Sequence, residues 1–213
     1  MMMSDLADKL ACELISCLMT HVMASFSVPG GTTPGPIFDT LSGVDLQWSR
    51  ITVFLNDERW VPQDHPRSNA RLVKKRLLVD KAAAATFVPF YTGDPEPAQA
   101  LVALKARLEP LLPNSVLLLG MGADLHTASL FPGAELLEEA LSPHAPPVMA
   151  LRAEAAGEPR LTLTAPVLKG AMSTHIVITG REKREALEAG RTAPVAEAPV
   201  RTVLDTATIH WAE

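Results

Sequence analysis

Leu6, Leu10, Leu14 and Leu18 recur every fourth residue and lead on to Val22, with Ile15 beside them. That spacing draws one apolar stripe along a helix of about five turns. Ser4 stands where an N-cap belongs, and Asp5 favours the first turn. Ala24 to Val28 reads as a short strand. It runs into Pro29-Gly30-Gly31-Thr32-Thr33-Pro34, which no strand interior accommodates. Pro34 suits the first turn of a new helix, which makes Thr33 its expected N-cap. Strand, glycine-rich turn, helix is the order of an α/β unit.

The same alternation continues. Ile51 to Leu55 is apolar without interruption, the pattern of a strand covered on both faces of a parallel sheet. A polar stretch, Asn56 to Ser68, precedes a helix over Asn69–Val79 with Lys74, Lys75 and Arg76 facing outward. Glu96 to Leu112 forms another helix, stopped by Pro113. Val116 to Leu119 is the most apolar strand, and it ends in Gly120-Met121-Gly122-Ala123-Asp124-Leu125-His126. A short helix over Glu135–Leu141 follows, then an alternating strand over Arg160–Thr164. Ala165–Ala171 is helical with Pro166 at its start, His175–Thr179 is a strand, and Gly180 opens a helix over Arg181–Ala189. Val200–Val203 and Thr208–Trp211 are expected to add strands, and the Pro- and Ala-rich segments at 142–147 and 192–199 read as loops. The expectation is one domain over 1–213, a three-layer αβα fold with a mostly parallel, Rossmann-like sheet. Ligands in such sheets bind beyond the carboxyl ends of the strands. The loops 29–34, 56–69 and 120–133 should therefore meet in space.

Composition narrows the function. The 213 residues are 47% hydrophobic and 20% charged, which is a folded chain and not a disordered one. Nineteen Lys and Arg against 24 Asp and Glu give a net charge of −5, which argues against a nucleic-acid partner. A small anionic substrate remains compatible, since it needs only a few local cations. Cys12 and Cys17 cannot build a disulfide framework and are expected to be reduced core residues. No apolar run approaches the roughly 20 residues of a membrane span. The first ten residues hold Asp5 and Asp8 and lack a cationic leader. A cytoplasmic protein without a membrane partner is expected.

Three loops carry candidate chemistry. The 29–34 loop offers backbone N–H groups, two hydroxyls and a helix N-terminus, a combination that binds phosphate. A plain turn with Gly at positive φ fits the same residues. Asn56-Asp57-Glu58-Arg59-Trp60 sets two carboxylates and a guanidinium directly after a buried strand. It reads either as a site or as a solvated loop with local ion pairs. Gly120 to Leu125 lacks the third glycine of a dinucleotide fingerprint, so no nicotinamide site is expected. Asp124 two residues before His126 offers a general base with a carboxylate at hand. His21 and His175 read as structural, His144 and His210 have no defined context, and His65 could line a site. No metal-ligand spacing and no Gly-x-Ser-x-Gly elbow occurs, so neither a metal nor a serine nucleophile is expected.

Taken together, four blocks resemble the 6-phosphogluconolactonase family, which is grouped with the sugar-phosphate isomerases and deaminases of the glucosamine-6-phosphate type. They are Gly30-Gly31-Thr32-Thr33-Pro34; Asp57 to Pro62 with His65 and Ser68-Asn69; Leu119 to Asp124 running on to His126-Thr127-Ala128-Ser129-Leu130-Phe131-Pro132-Gly133; and Arg160 to Thr164 with Thr179-Gly180 and Lys183. The resemblance implies hydrolysis of 6-phosphoglucono-δ-lactone in the oxidative pentose phosphate pathway, with no metal or organic cofactor. It implies that Gly30, Gly31, Thr32, Thr33, Arg160 and Lys183 hold the phosphate, that His126 activates water with Asp124 nearby, and that Asp57, Glu58 and Arg59 line the site. Arg59 is the expected partner of the oxyanion or ring oxygen. The expected partner is the sugar-phosphate lactone alone, on a monomer or weak homodimer.

Pro29 replaces the family's usual Ser, and Leu125 its usual Gly between Asp and His. The chain also starts in its first helix, where relatives carry an additional strand. The Leu125 side chain is expected to point away and fill an apolar gap, leaving His126 in place. Two other functions share the pattern: a sugar-phosphate isomerase or deaminase, and a degenerate paralogue that binds without turnover.

Overall fold

Uninterrupted apolar runs need cover on both faces, and they receive it in the computed structural model, which describes residues 2–213. The chain runs α1 (Met2–Thr20), β1 (Ala24–Val28), α2 (Gly35–Ser42), β2 (Ile51–Leu55), β3 (Asp57–Arg59), α3 (Asn69–Arg76), β4 (Thr86–Val88), α4 (Pro97–Leu108), β5 (Val116–Gly120), α5 (Leu137–Leu141), β6 (Val148–Leu151), β7 (Arg160–Leu163), α6 (Ala165–Lys169), β8 (Ser173–Thr179), α7 (Arg181–Gly190), α8 (Arg201–Leu204) and β9 (Thr208–Ala212). Every residue of β1 and β2 is buried.

The main sheet has the order β4-β2-β1-β5-β8-β9, and all its pairings are parallel. The chain winds outward from β1 to β4 on one side and from β5 to β9 on the other. This is the doubly wound arrangement, with its crevice where the order reverses, between β1 and β5. Right-handed crossovers put the helices of the two halves on opposite faces. On one face α1 packs on α2 and α2 on α3. A second, antiparallel sheet, β3-β7-β6, continues from β2 after the single residue Asn56. It stands over the carboxyl edge of the main sheet.

The leucine stripe of α1 is buried from Leu6 to Leu18, as the spacing requires. Its extension is not: the helix ends at Thr20, Val22 is 80% exposed and Ile15 45%. The helix already exists at Met2, so Ser4 and Asp5 lie within it and Ser4 is no cap. Cys17 is buried, but Cys12 faces solvent. Pro34 occupies the N-cap of α2 without a side-chain cap, which displaces Thr33 from that role. Several strands escape hydrophobic reading. β3 is Asp-Glu-Arg, held by pairing with β7 rather than by an apolar pattern. β4 is three residues long, and β6 follows directly on a Pro-rich loop. Val200–Val203 is not a strand. Val203 N donates to Val200 O at 3.1 Å, and Arg201–Leu204 forms a helical turn after Pro199.

Candidate active site

The three loops meet as the topology requires. With the start of α7 they enclose a cleft of about 420 Å³ over the ends of β1, β2, β5 and β8. One wall carries cations. Gly30, Gly31, Thr32 and Thr33 line it, with Gly31 at φ +87°, a turn that a side chain disfavours. Lys183 reaches it from the first turn of α7 and makes no ion pair among the described residues. Arg160 opens β7 and stands directly opposite Arg59 of β3. Like charges in cross-strand register repel, so the pair favours an anion between or beside them. Arg160 is 5% exposed, and its Nη2 donates to Ala156 O at 2.9 Å. Burial pulls its pKa down, countered by the Asp57 carboxylate and reinforced by the Arg59 charge. Arg59 Nη1 donates to Arg67 O at 2.6 Å and Asn69 Oδ1 at 3.1 Å. The Nε atoms of Arg59 and Arg160 are buried and have no partner among the described residues.

The 120–133 loop brings the base to the same cleft. A tight turn, Leu125 N to Gly122 O at 3.0 Å, folds His126 back so that its Nδ1 lies 2.5 Å from Asp124 Oδ1. A Cβ on Gly122 would sit 2.2 Å from His126 Nδ1 and 2.3 Å from Asp124 Oδ1, so the pair rests on a bare Cα. A carboxylate only accepts, hence Nδ1 carries the proton and Nε2 presents a lone pair. Nε2 has no hydrogen-bond partner among the described residues, and His126 lines the cleft. Burial pushes the Asp124 carboxyl up, but the His126 hydrogen bond and charge prevail and lower it. Phe131 braces the ring, centroid to centroid 4.1 Å at 30°. Arg160 lies 5.7 Å from the centroid of the Phe131 ring.

Leu125 takes the left-handed conformation, φ +67°. Its side chain leaves the cleft and packs where Gly190 has no Cβ; a Cβ there would meet Cδ1 at 2.4 Å. Leu125 O accepts from Val200 N at 3.0 Å. The turn that a glycine would make is kept, at a backbone cost of roughly 1–2 kcal/mol.

Strand alternation separates Asp57 from Glu58. Asp57 lines the cleft, its Oδ2 accepting from Ser129 Oγ at 2.6 Å and its Oδ1 from Asn69 Nδ2 at 3.2 Å. Glu58, expected at the site, is fully buried away from it. It accepts from the backbone N–H of Asn69 and Ala70, both at 2.8 Å, and from Ser68 Oγ at 3.0 Å. It anchors the N-terminus of α3, where the helix dipole favours a carboxylate. Burial raises its pKa against the lowering by those N–H groups. Asp124 stands behind His126 and does not line the cleft. His65 lies outside it, accepting from Arg67 N at 3.2 Å. Given no role of their own in the sequence, though Asn56 and Asn69 stand in its motif blocks, Asn56, Arg67 and Asn69 also line it. The last two flank the N-cap Ser68 of α3, a signal the sequence carried. The described residues include no group of His, Cys, Asp or Glu that could hold a metal ion, and no helix long and apolar enough to cross a membrane.

A second histidine cluster lies under α1. His175 Nε2 is 2.7 Å from Glu13 Oε2, and His175 Nδ1 is 3.0 Å from His210 Nε2. Ser173 Oγ also donates to Glu13 Oε2, at 2.7 Å.

Residues 1–211 match the family described as glucosamine-6-phosphate isomerases/6-phosphogluconolactonase. A 6-phosphogluconolactonase of Rhizobium meliloti (strain 1021) is 44% identical over 97% of this chain and 92% of that protein. One of Pseudomonas aeruginosa is 40% identical over 97% of this chain and 88% of its own length. A crystal structure of a 6-phosphogluconolactonase from Shewanella baltica OS155 superposes with a TM-score of 0.96 at 30% identity, covering 100% of this chain and 93% of that one. The Thermotoga maritima enzyme structure gives 0.84 at 25% identity, over 98% and 93%.

Proposed function

The chain belongs to the glucosamine-6-phosphate isomerase/6-phosphogluconolactonase family, and from that premise we propose that it hydrolyses 6-phosphoglucono-δ-lactone to 6-phosphogluconate in the oxidative pentose phosphate pathway. The phosphate is held by Arg160, Lys183 and the N–H groups and hydroxyls of residues 30–33. This remote anchor orients the ring. His126 Nε2 takes a proton from water as the water oxygen attacks the lactone carbonyl. Arg59 faces the oxyanion that develops. The bond from the carbonyl carbon to the ring oxygen then breaks, and the imidazolium returns its proton to that oxygen. Asp124 holds the ring and steadies its positive charge between these steps.

The observation that carries this reading is the Nδ1–Asp124 contact, 2.5 Å long, which leaves Nε2 without a partner on a ring that lines the same cleft as Arg59, Arg160 and Lys183. The names of the 40–44% identical relatives favour the lactonase over an isomerase or deaminase. The retained turn at Leu125 favours a working enzyme over a binder without turnover. We place the activity in the cytoplasm, on a monomer or weak homodimer, without metal, cofactor, nucleic acid or membrane.

The test is acid release from freshly generated lactone, corrected for spontaneous hydrolysis, beside ammonia release from glucosamine 6-phosphate. Acid release that survives exhaustive EDTA dialysis is expected. Ammonia release alone would make the chain a deaminase, and tight product binding with no rate above background would make it a binder.

A further inference from the structure

Asn56 is the one residue between β2 and β3, and its backbone ties them to two other strands. Its N–H donates to Val28 O at the end of β1, at 3.0 Å, and its carbonyl accepts from Leu163 N of β7 at 2.8 Å. Its side chain is fully buried, and its Nδ2 donates to Leu118 O of β5 at 2.8 Å. A backbone carbonyl can only accept, so this contact fixes which end of the amide is nitrogen. The other end, Oδ1, is buried and has no partner among the described residues. Since β1 lies between β2 and β5, the side chain crosses the end of β1. It forms the floor of the cleft, in the crevice where the strand order reverses. An orphaned buried acceptor carries a desolvation penalty that a hydroxyl of a bound ligand or water would remove.

Resting on the lactonase reading, we propose that Asn56 Oδ1 accepts a hydrogen bond from a ring hydroxyl of the bound sugar-phosphate lactone and thereby helps select which sugar is hydrolysed. At neutral pH the phosphate, the lactone carbonyl and the ring oxygen are chiefly acceptors, and they match the donors Arg160, Lys183 and Arg59. The ring hydroxyls are the remaining donors. The Asp57 carboxylate beside Asn56 is already held by Ser129 and Asn69. Asn56 Oδ1 is the neighbouring neutral acceptor left free, and the bond from Nδ2 to Leu118 O holds the amide in that orientation. Sites built to hydrogen-bond a substrate hydroxyl reject analogues that lack it.

The test is a cycle between protein and substrate. Wild type, Asn56→Ala and Asn56→Ser are assayed on the parent lactone and on its 2-, 3- and 4-deoxy forms. Serine retains a small polar group should alanine destabilise the strand ends. One deoxy substrate is expected to lose about tenfold or more in wild-type kcat/KM, and the variants to shrink that ratio to about threefold or less. Wild-type rates within threefold on all three deoxy substrates would overturn the proposal. So would a penalty undiminished in both variants, because a group other than Oδ1 would then be reading the hydroxyl. No hydrolysis of the parent lactone by wild type would sink the lactonase reading itself, and this proposal with it.

Discussion

His126 in the cleft and His175 beneath α1 each press one ring nitrogen against a carboxylate, at 2.5 Å to Asp124 and 2.7 Å to Glu13. They differ in the second nitrogen. That of His126, on a ring that lines the cleft, has no hydrogen-bond partner among the described residues. That of His175 is 3.0 Å from His210 Nε2, and the ring is 1% exposed. Their tautomers are opposite in consequence. Asp124 requires Nδ1–H on His126, which leaves a bare Nε2. Glu13 requires Nε2–H on His175, so His175 Nδ1 accepts and His210 Nε2–H donates. A carboxylate beside a histidine thus does not define its role; what the far nitrogen can reach does.

The sharpest way to break this contrast is at the cleft. His126→Ala should lower kcat about 10²–10⁴-fold with KM little changed. A variant that keeps near-wild-type kcat removes His126 from the mechanism. Next in size is the anion wall. Arg160→Ala or Lys183→Ala should each cost about 1.5–3 kcal/mol of transition-state binding for the phosphorylated lactone and little for a lactone without phosphate. Equal losses on both lactones would refute the phosphate assignment.

The buried cluster should respond in stability instead. His175→Ala takes from Glu13 and His210 the partner they share, and about 2–3 kcal/mol of unfolding free energy should go, with kcat within threefold. A large drop in kcat at unchanged Tm would erase the contrast. His210 adds a pH signature. Burial, then the charges of His175 and Lys9, lower its pKa from 6.5 to about 4, against a partial pull from Glu13. As pH falls from 6.5 toward 4, the unfolded chain takes a proton that the folded His210 refuses. Stability is therefore lost through that window and levels off below it. Because the ring is half-exposed the loss is about 1 kcal/mol, and His210→Gln should remove it from urea titrations compared at pH 7 and 4.5. An unchanged pH dependence in the variant would contradict this.

The smallest effect is expected at Leu125. Leu125→Gly relieves the left-handed backbone but gives up the contact with Gly190 and adds chain freedom in the unfolded state. These terms nearly cancel, to within about 1 kcal/mol. With kcat within threefold, Leu125 is a tolerated substitution; a tenfold rise in kcat would mark the natural chain as a weakened enzyme.

These same places show what the sequence made legible. The uninterrupted runs at 51–55 and 116–119, each leading into a polar loop, are readable as parallel strands, and the parallel topology then forces the loops together. The Asp124–His126 spacing is readable because both residues sit on one tight turn. Glu58 misleads because a three-residue strand leaves no periodicity to separate its faces, so an anchor for α3 looks like a cleft residue. Asn56 is invisible for a related reason. Its importance lies in an amide that spans β2 to β5 across β1, a long-range fact no local pattern encodes. The Glu13–His175–His210 chain joins residues from both ends of the sequence, and only the docking of α1 on β8 and β9 brings them together.

The proton positions themselves test the central claim. Long-range ¹H–¹⁵N NMR of the imidazole rings at neutral pH, assigned with the His126→Ala and His175→Ala variants, reads both tautomers in one spectrum. Nδ1–H with bare Nε2 is expected for His126, and Nε2–H with bare Nδ1 for His175. An Nε2–H tautomer at His126 would contradict it, since that nitrogen could then take no proton from water in the cleft.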